Sequence, residues 1–266
     1  MSAPERLWSV TTLIKEGVPK GDALTGWAVK VTANYALDKH AMLGGMLAEG
    51  ARDEAYRLLS GARWNTLKTA AARGTDLHEY VEKKALGLDP VLPEGLNPGF
   101  VEQYERFLAE HEVAYEMAEA AVFNRTYRYA GTLDSIARVD GVLVLLDVKT
   151  TDKGPEAKSR PPYPEIALQL AAYRHAEHVR VGIAERVTES RKRYYVYDPD
   201  ATYVEMPQVE GALALVISPV DYTLTPVRTD QDVFDVFLHA REIARWSLEG
   251  SKTVLGAPVT ATREGA

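Results

Sequence analysis

The chain has 266 residues, 46% hydrophobic and 26% charged, with a formal net charge of −7 and no cysteine. That length supports one large domain or a core with a helical appendage, and zero Cys excludes disulfides. No apolar run approaches the roughly 18 residues of a membrane span, and no charged stretch leads into an apolar leader, so a soluble, cytoplasmic protein without a membrane partner is expected.

From about Asp22 to Leu86 the chain reads as helical. Its aromatic and basic residues (Trp27, Lys30, Tyr35, Lys39, Trp64, Lys68) suit a strand-binding groove, although core packing is the expectation for the two tryptophans. The last part, from about Leu67 to Leu86, repeats Leu67, Ala71, Gly74, His78 and Val81 along one stripe, which turns His78 inward. An inward His is either a hydrogen-bonded core residue or a ligand. Glu94 to Pro98 is a turn-rich break, and a helix from about Gly99 to His111 leads into the sheet.

Tyr115 to Asn124 alternates as a strand and carries Glu119. The next stretch, GTLDSIARVDGVLVLLDVKT from Gly131, predicts a hairpin. Its turn is Asp140-Gly141, and Val142 to Val148 is apolar enough for a central strand buried on both faces. Asp134 and Asp147 then fall on paired antiparallel strands. Asp147 and Lys149, two apart, share a face while Val148 points to the other. A buried strand has no packing use for an acid and a lysine on one face; the other reading is a solvated pair past the strand's end. Hydrolysis of a phosphodiester needs a divalent cation on oxygen ligands and a nearby positive charge for the attacking water, and Asp134, Asp147 and Lys149 can supply that.

A helix from about Glu165 to Val179 puts Gln169 and Tyr173 on one face. Strands follow near Arg193 to Tyr197, Ala212 to Ile217 and Tyr222 to Val227, then a closing helix from about Gln231 to Leu248. The division expected is a single domain over 1–250, with a helical part to about 90 and a core after it, and a poorly ordered tail over 251–266. The negative net charge is unevenly spread. Arg125 to Arg193 holds 13 Lys and Arg against 9 Asp and Glu, so the positive charge sits with the motifs. Each basic cluster there, Lys153–Lys158–Arg160 and Arg191–Lys192–Arg193, reads by itself as a solvated face.

Taken in order, Gly74 to His78 (Gly-Thr-x-x-His), Glu119, Gly131 to Asp134 (Gly-x-x-Asp), Asp147 to Lys149 (Asp-x-Lys) and Gln169 to Tyr173 (Gln-x-x-x-Tyr) resemble the RecB-like branch of the PD-(D/E)XK nuclease superfamily. The likeness covers roughly residues 70 to 180, and the opening SVTTLIKEG looks similar to phage-encoded members at a weaker level. It implies an α/β, restriction-endonuclease-like mixed central sheet flanked by helices, with helical N-terminal additions. It also implies Mg or Mn on Asp134, Asp147, His78 and the main-chain carbonyl of Val148, with Glu119 holding a water or a second ion. Lys149 would orient and activate the attacking water. Gln169 and Tyr173 would contact the DNA backbone and steady the motif, joined by Lys153 and Arg128 as DNA contacts. The donor set is oxygen-rich and thiolate-free, which suits Mg or Mn over zinc. Some members carry an iron–sulfur cluster on flanking cysteines; none can form here. Nor is there a GxxxxGK[ST] phosphate loop, so no ATP-driven helicase accompanies the site.

The resemblance thus implies a metal-dependent DNA nuclease, an exonuclease in recombination or end processing by preference, and phage-encoded by the same likeness. Its expected partners are DNA, as single strands or duplex ends, and a recombination or single-strand-binding protein. The rival readings are a structure-selective or nicking endonuclease and a non-catalytic DNA-binding adaptor. Against the adaptor, a binding module gains nothing by burying two carboxylates beside a phosphate.

Overall fold

The computed structural model of the protein describes residues 4–19, 21–151, 158–190 and 192–258, which build a ten-stranded mixed sheet flanked by helices. The opening segment forms a strand, β1 (Glu5–Ser9), that runs directly into a helix, α1 (Val10–Gly17). The junction is set by Ser9, whose hydroxyl accepts the Thr12 N–H at 3.1 Å as an N-cap. Gly17 ends the helix where a Cβ would strike the Ala240 carbonyl of the last helix.

The helical N-terminal part is three helices, α2 (Gly21–Asp38), α3 (His40–Ala48) and α4 (Arg52–Ala85), with α2 and α3 packed on α4. At 34 residues α4 is roughly 50 Å long. Only its C-terminal part meets the sheet. There Leu77, Tyr80 and Val81 are buried with Phe100 and Tyr104 of α5 (Pro98–Glu110) and with strand residues Leu146 and Val148. Of the stripe read from the sequence, Val81 is buried and His78 half-buried, whereas Leu67 stays 42% exposed. Trp64, expected in the core, is also exposed and carries the Arg63 guanidinium over its ring.

Three long strands form a meander: β2 (Val113–Asn124), β3 (Tyr129–Val139) and β4 (Val142–Thr150). The turn between the last two is Asp140-Gly141, with φ of 51° and 85°, the left-handed pair that a two-residue hairpin requires. α6 (Glu165–Arg174) is shorter than its apolar pattern predicts, because His178 and Val179 leave the helix to pair with Phe123 and Val122 as β5 (His178–Arg180). Then come β6 (Arg186–Glu189), β7 (Lys192–Tyr197), β8 (Tyr203–Glu205), β9 (Gly211–Ile217), β10 (Tyr222–Pro226) and α7 (Gln231–Leu248), followed by a 3-10 turn at Gly250–Lys252.

The main path of the sheet is β10-β9-β4-β3-β1-β7-β6, with β2 on the other edge of β3. β4 lies between antiparallel β3 and parallel β9. Its Leu145 faces α6 and α7 through Ile166, Leu170 and Phe237, and its Leu146 and Val148 face α4 and α5. One edge of β3 has two partners. Tyr129 and Ala130 pair with β1, whereas Ser135 to Val139 pair with β4. Between them, over Gly131 to Asp134, the sheet forks, and the C-terminal end of β4 continues on β9 alone. No helix among the described residues is long and apolar enough to cross a membrane.

Candidate metal centre

The fork exists because a side chain takes the place of a strand. The β3–β4 ladder ends at Ser135 opposite Leu146, one step before Asp134 and Asp147 would face each other. Beyond it the Val148 N–H, which has lost its strand partner, donates to Asp134 Oδ2 at 2.8 Å. The two aspartates expected on paired strands thus stand just past the pairing. Strand alternation sends Asp147 and Lys149 to the α6 side and Val148 to the α4 side, into the cluster that holds Leu77.

Asp147 is 1% exposed. Its Oδ2 lies 2.5 Å from the Lys149 ammonium, and its Oδ1 receives the Gln169 side-chain amide at 3.4 Å. Burial pushes the Asp147 carboxyl above its ordinary range, against the pull of Lys149. Burial would lower the Lys149 amine, but the charges of Asp147 and Asp134 outweigh it and raise it.

Glu119 arrives from the opposite edge. Its neighbours Ala118 and Ala120 pair with Ser135 and Leu133, which sets Glu119 beside Asp134. Its φ is 46°; the other non-glycine residues with positive φ, Arg128, Asp140 and Ser190, fall at or beside turns, so Glu119 holds this costly conformation inside a strand. His78 completes the group from α4, its Nδ1 3.6 Å from Asp134 Oδ2 and 3.8 Å from Glu119 Oε1. One donor atom from each of His78, Glu119 and Asp134 lies within 4.8 Å of the other two. Burial lowers the His78 imidazole, but the nearby carboxylates of Glu119 and Asp134 raise it further than burial lowers it. Helix packing explains why His78 reaches the strands: its neighbours Leu77 and Val81 anchor that turn of α4 on Val148.

The residues present fit a hard divalent cation. Asp134 and Glu119 meet at His78, Asp134 and Asp147 share Lys149, and Glu82 beside them is raised by burial and by the charge of Glu119. The Lys149 ammonium also acts as a stand-in ion. It lies 2.5 Å from Asp147 Oδ2, 3.4 Å from the Val148 carbonyl oxygen and 3.9 Å from Asp134 Oδ2. Those three oxygens belong to three of the ligands that the resemblance implies; the donor atoms that lie within 4.8 Å of one another are those of His78, Glu119 and Asp134, and Asp147 stands outside that group.

Other expected residues sit less centrally. Gln169 bridges Asp147 and the Tyr173 hydroxyl, which it meets at 3.3 Å. Tyr173 itself is 2% exposed, with its ring edge so close to Gly131 that a Cβ there would be 2.5 Å away. It lines the cleft while almost wholly buried, as a support for Gln169. Arg128 lies at the β2–β3 turn, roughly 20 Å of strand from Asp134, and pairs with Glu5 at 3.0 Å. Lys153 lies outside the described residues, as do the side chain of Lys68 and the tail from 259 onward.

The group opens into a cleft of about 1000 Å3. Its walls bring in residues that sequence reasoning passed over: Ser9 and Thr11 from the β1–α1 junction, Thr132 from β3, and Arg186 and Arg193 from β6 and β7. The helix-capping position of Ser9, ahead of an apolar run, was a readable signal for the first. Arg186 sits alone in its stretch of sequence, and Arg193, counted within a basic run, reaches the cleft only through long-range strand pairing. No family model matches the chain, and no curated protein matches it significantly.

Proposed function

We propose that the protein is a divalent-metal-dependent DNA nuclease with a restriction-endonuclease-like core, acting by preference as an exonuclease on DNA ends. The observation that carries this reading is the fork itself: Asp134, Asp147 and the Val148 carbonyl gathered around one lysine ammonium, with His78 and Glu119 against Asp134. An adaptor that only bound DNA would have no reason to bury an acid beside a lysine.

Asp134, Asp147, His78 and the Val148 carbonyl would hold Mg or Mn, with Glu119 beside them. When bound, the cation would supply Lewis-acid stabilisation of the phosphoryl charge and a more acidic water. The chain's own residues do the rest. Lys149, kept charged by Asp147, donates to a water or a phosphate oxygen and offsets the charge that builds in the transition state. Gln169 fixes the Asp147 carboxylate, and Tyr173 fixes Gln169. Arg186 and Arg193 offer positive charge to the DNA backbone from the cleft wall.

The test is incubation with end-labelled linear DNA and with closed-circular DNA, in Mn, Mg or EDTA. Cleavage of the linear substrate that EDTA stops, and that Asp147→Ala and Lys149→Ala both lose while staying folded, is the expected result. Cutting of the closed circle would move the reading to an endonuclease. Wild-type cleavage by Asp147→Ala would remove the site assignment.

A further inference from the structure

The cleft does not end at the carboxylates. Thr11 and Gln169 line it and also line a second cavity of about 500 Å3 that opens on the Lys149 side. Into that cavity face Lys15 of α1, Lys149, and Arg160 and Tyr163 from the segment before α6, with Glu165 as the one acid among the described residues. Lys15 pairs, among the described residues, with its neighbour Glu16 at 3.3 Å. Arg160 makes no ion pair among the described residues, and Tyr163 is 82% exposed with no ring packed on it among them. The local sequence is Arg160-Pro161-Pro162-Tyr163-Pro164. Three prolines fix φ on both sides of the tyrosine and restrict the arginine before them, so the pair is presented on a stiff strap that loses little entropy on binding.

We infer that this cavity is a subsite for one unpaired nucleotide of a DNA strand adjacent to the bond that is cut, its base stacked on Tyr163 and its phosphate held by Arg160 and Lys15. An open aromatic face engages a base only when that base is out of a duplex, and guanidinium and ammonium groups set beside it supply the charge that a phosphate needs. A cavity of this size suits one nucleotide and not a duplex. The metal centre would then lie between two cationic walls, Arg186 and Arg193 on one side and Arg160 and Lys15 on the other, so that a strand crosses it from wall to wall. The choice of DNA rests on the nuclease reading; the aromatic and cationic geometry does not.

The experiment is fluorescence anisotropy with a fluorescein-labelled oligothymidylate in EDTA, where binding is read without cleavage. Tyr163→Ala weakens affinity about tenfold and Tyr163→Phe restores it. Arg160→Gln weakens it and lowers the slope of log affinity against log salt by about 0.7. Both side chains are exposed, so unchanged circular dichroism is expected and separates binding from folding. Unchanged affinity and salt slope in both variants overturn the subsite. Cleavage in Mn by the same wild-type preparation reports the nuclease reading separately: cleavage with unaffected variants removes the subsite alone, and no cleavage with weakened variants removes the nuclease and leaves the subsite.

Discussion

Asp147 is the residue on which most of the site's electrostatics turns, because it is buried and charged at once. Its carboxyl binds its proton more tightly in the folded chain than its ordinary 3.8. Just above that value the unfolded state has released a proton the folded state still holds, so stability falls as pH rises through the window that opens at 3.8. Asp147→Asn is expected to flatten that part of the stability–pH curve in metal-free protein and to abolish cleavage; urea melts across pH read the first effect. An unchanged slope would mean that Lys149 compensates the burial in full. His78 permits a sharper test. As a ligand, His78→Ala weakens Mn affinity in calorimetry by about tenfold or more, whereas a core histidine predicts unchanged affinity and a stability loss of about 1–3 kcal/mol.

At the scale of elements, the geometry rests on two close approaches. Gly131 in β3 lets the edge of the Tyr173 ring of α6 come close against the strand, and Tyr173 in turn positions Gln169 toward Asp147. A methyl group at Gly131 must push the ring away, so Gly131→Ala is expected to cost about 1–3 kcal/mol and to lower cleavage more than binding. Thermal melts and steady-state rates on one preparation separate the two losses. Equal rates with a normal melt would mean that the ring yields without moving Gln169. The second approach is the seat of α4 on Val148 through Leu77 and Val81, which carries His78 to the strands.

For the whole molecule, an imidazole and two carboxylates brought together from α4, β2 and β3 make the folded state a better cation binder than the unfolded chain. Mn at a hundred times its dissociation constant is therefore expected to add about 2.7 kcal/mol of stability, which EDTA removes. In a chain of 266 residues that corresponds to a rise in Tm of about 5 °C. Asp134→Ala should abolish the rise, because Asp134 belongs both to the His78–Glu119 group and to the oxygens around Lys149. A rise that survives this substitution would locate the cation elsewhere.

The sequence by itself determined what local chemistry dictates. The Asp140-Gly141 turn, the doubly buried apolar run of β4, the period of two that pairs Asp147 with Lys149, and the closing helix Gln231–Leu248 depend on neighbours a few residues apart, and the structure holds each of them. Tertiary structure decided the rest. β5 was hidden inside an apparent helix because its strand character comes from Val122 and Phe123, more than fifty residues earlier. In α4 the expected stripe keeps Val81 in the core but not Leu67, and Leu77 and Tyr80 join Val81 because that end of the helix packs on α5 and the sheet. The fork, the inverted φ of Glu119 and the cationic walls of the cleft arise where strands from distant parts of the chain part company, and no local pattern records which strand will be missing a partner.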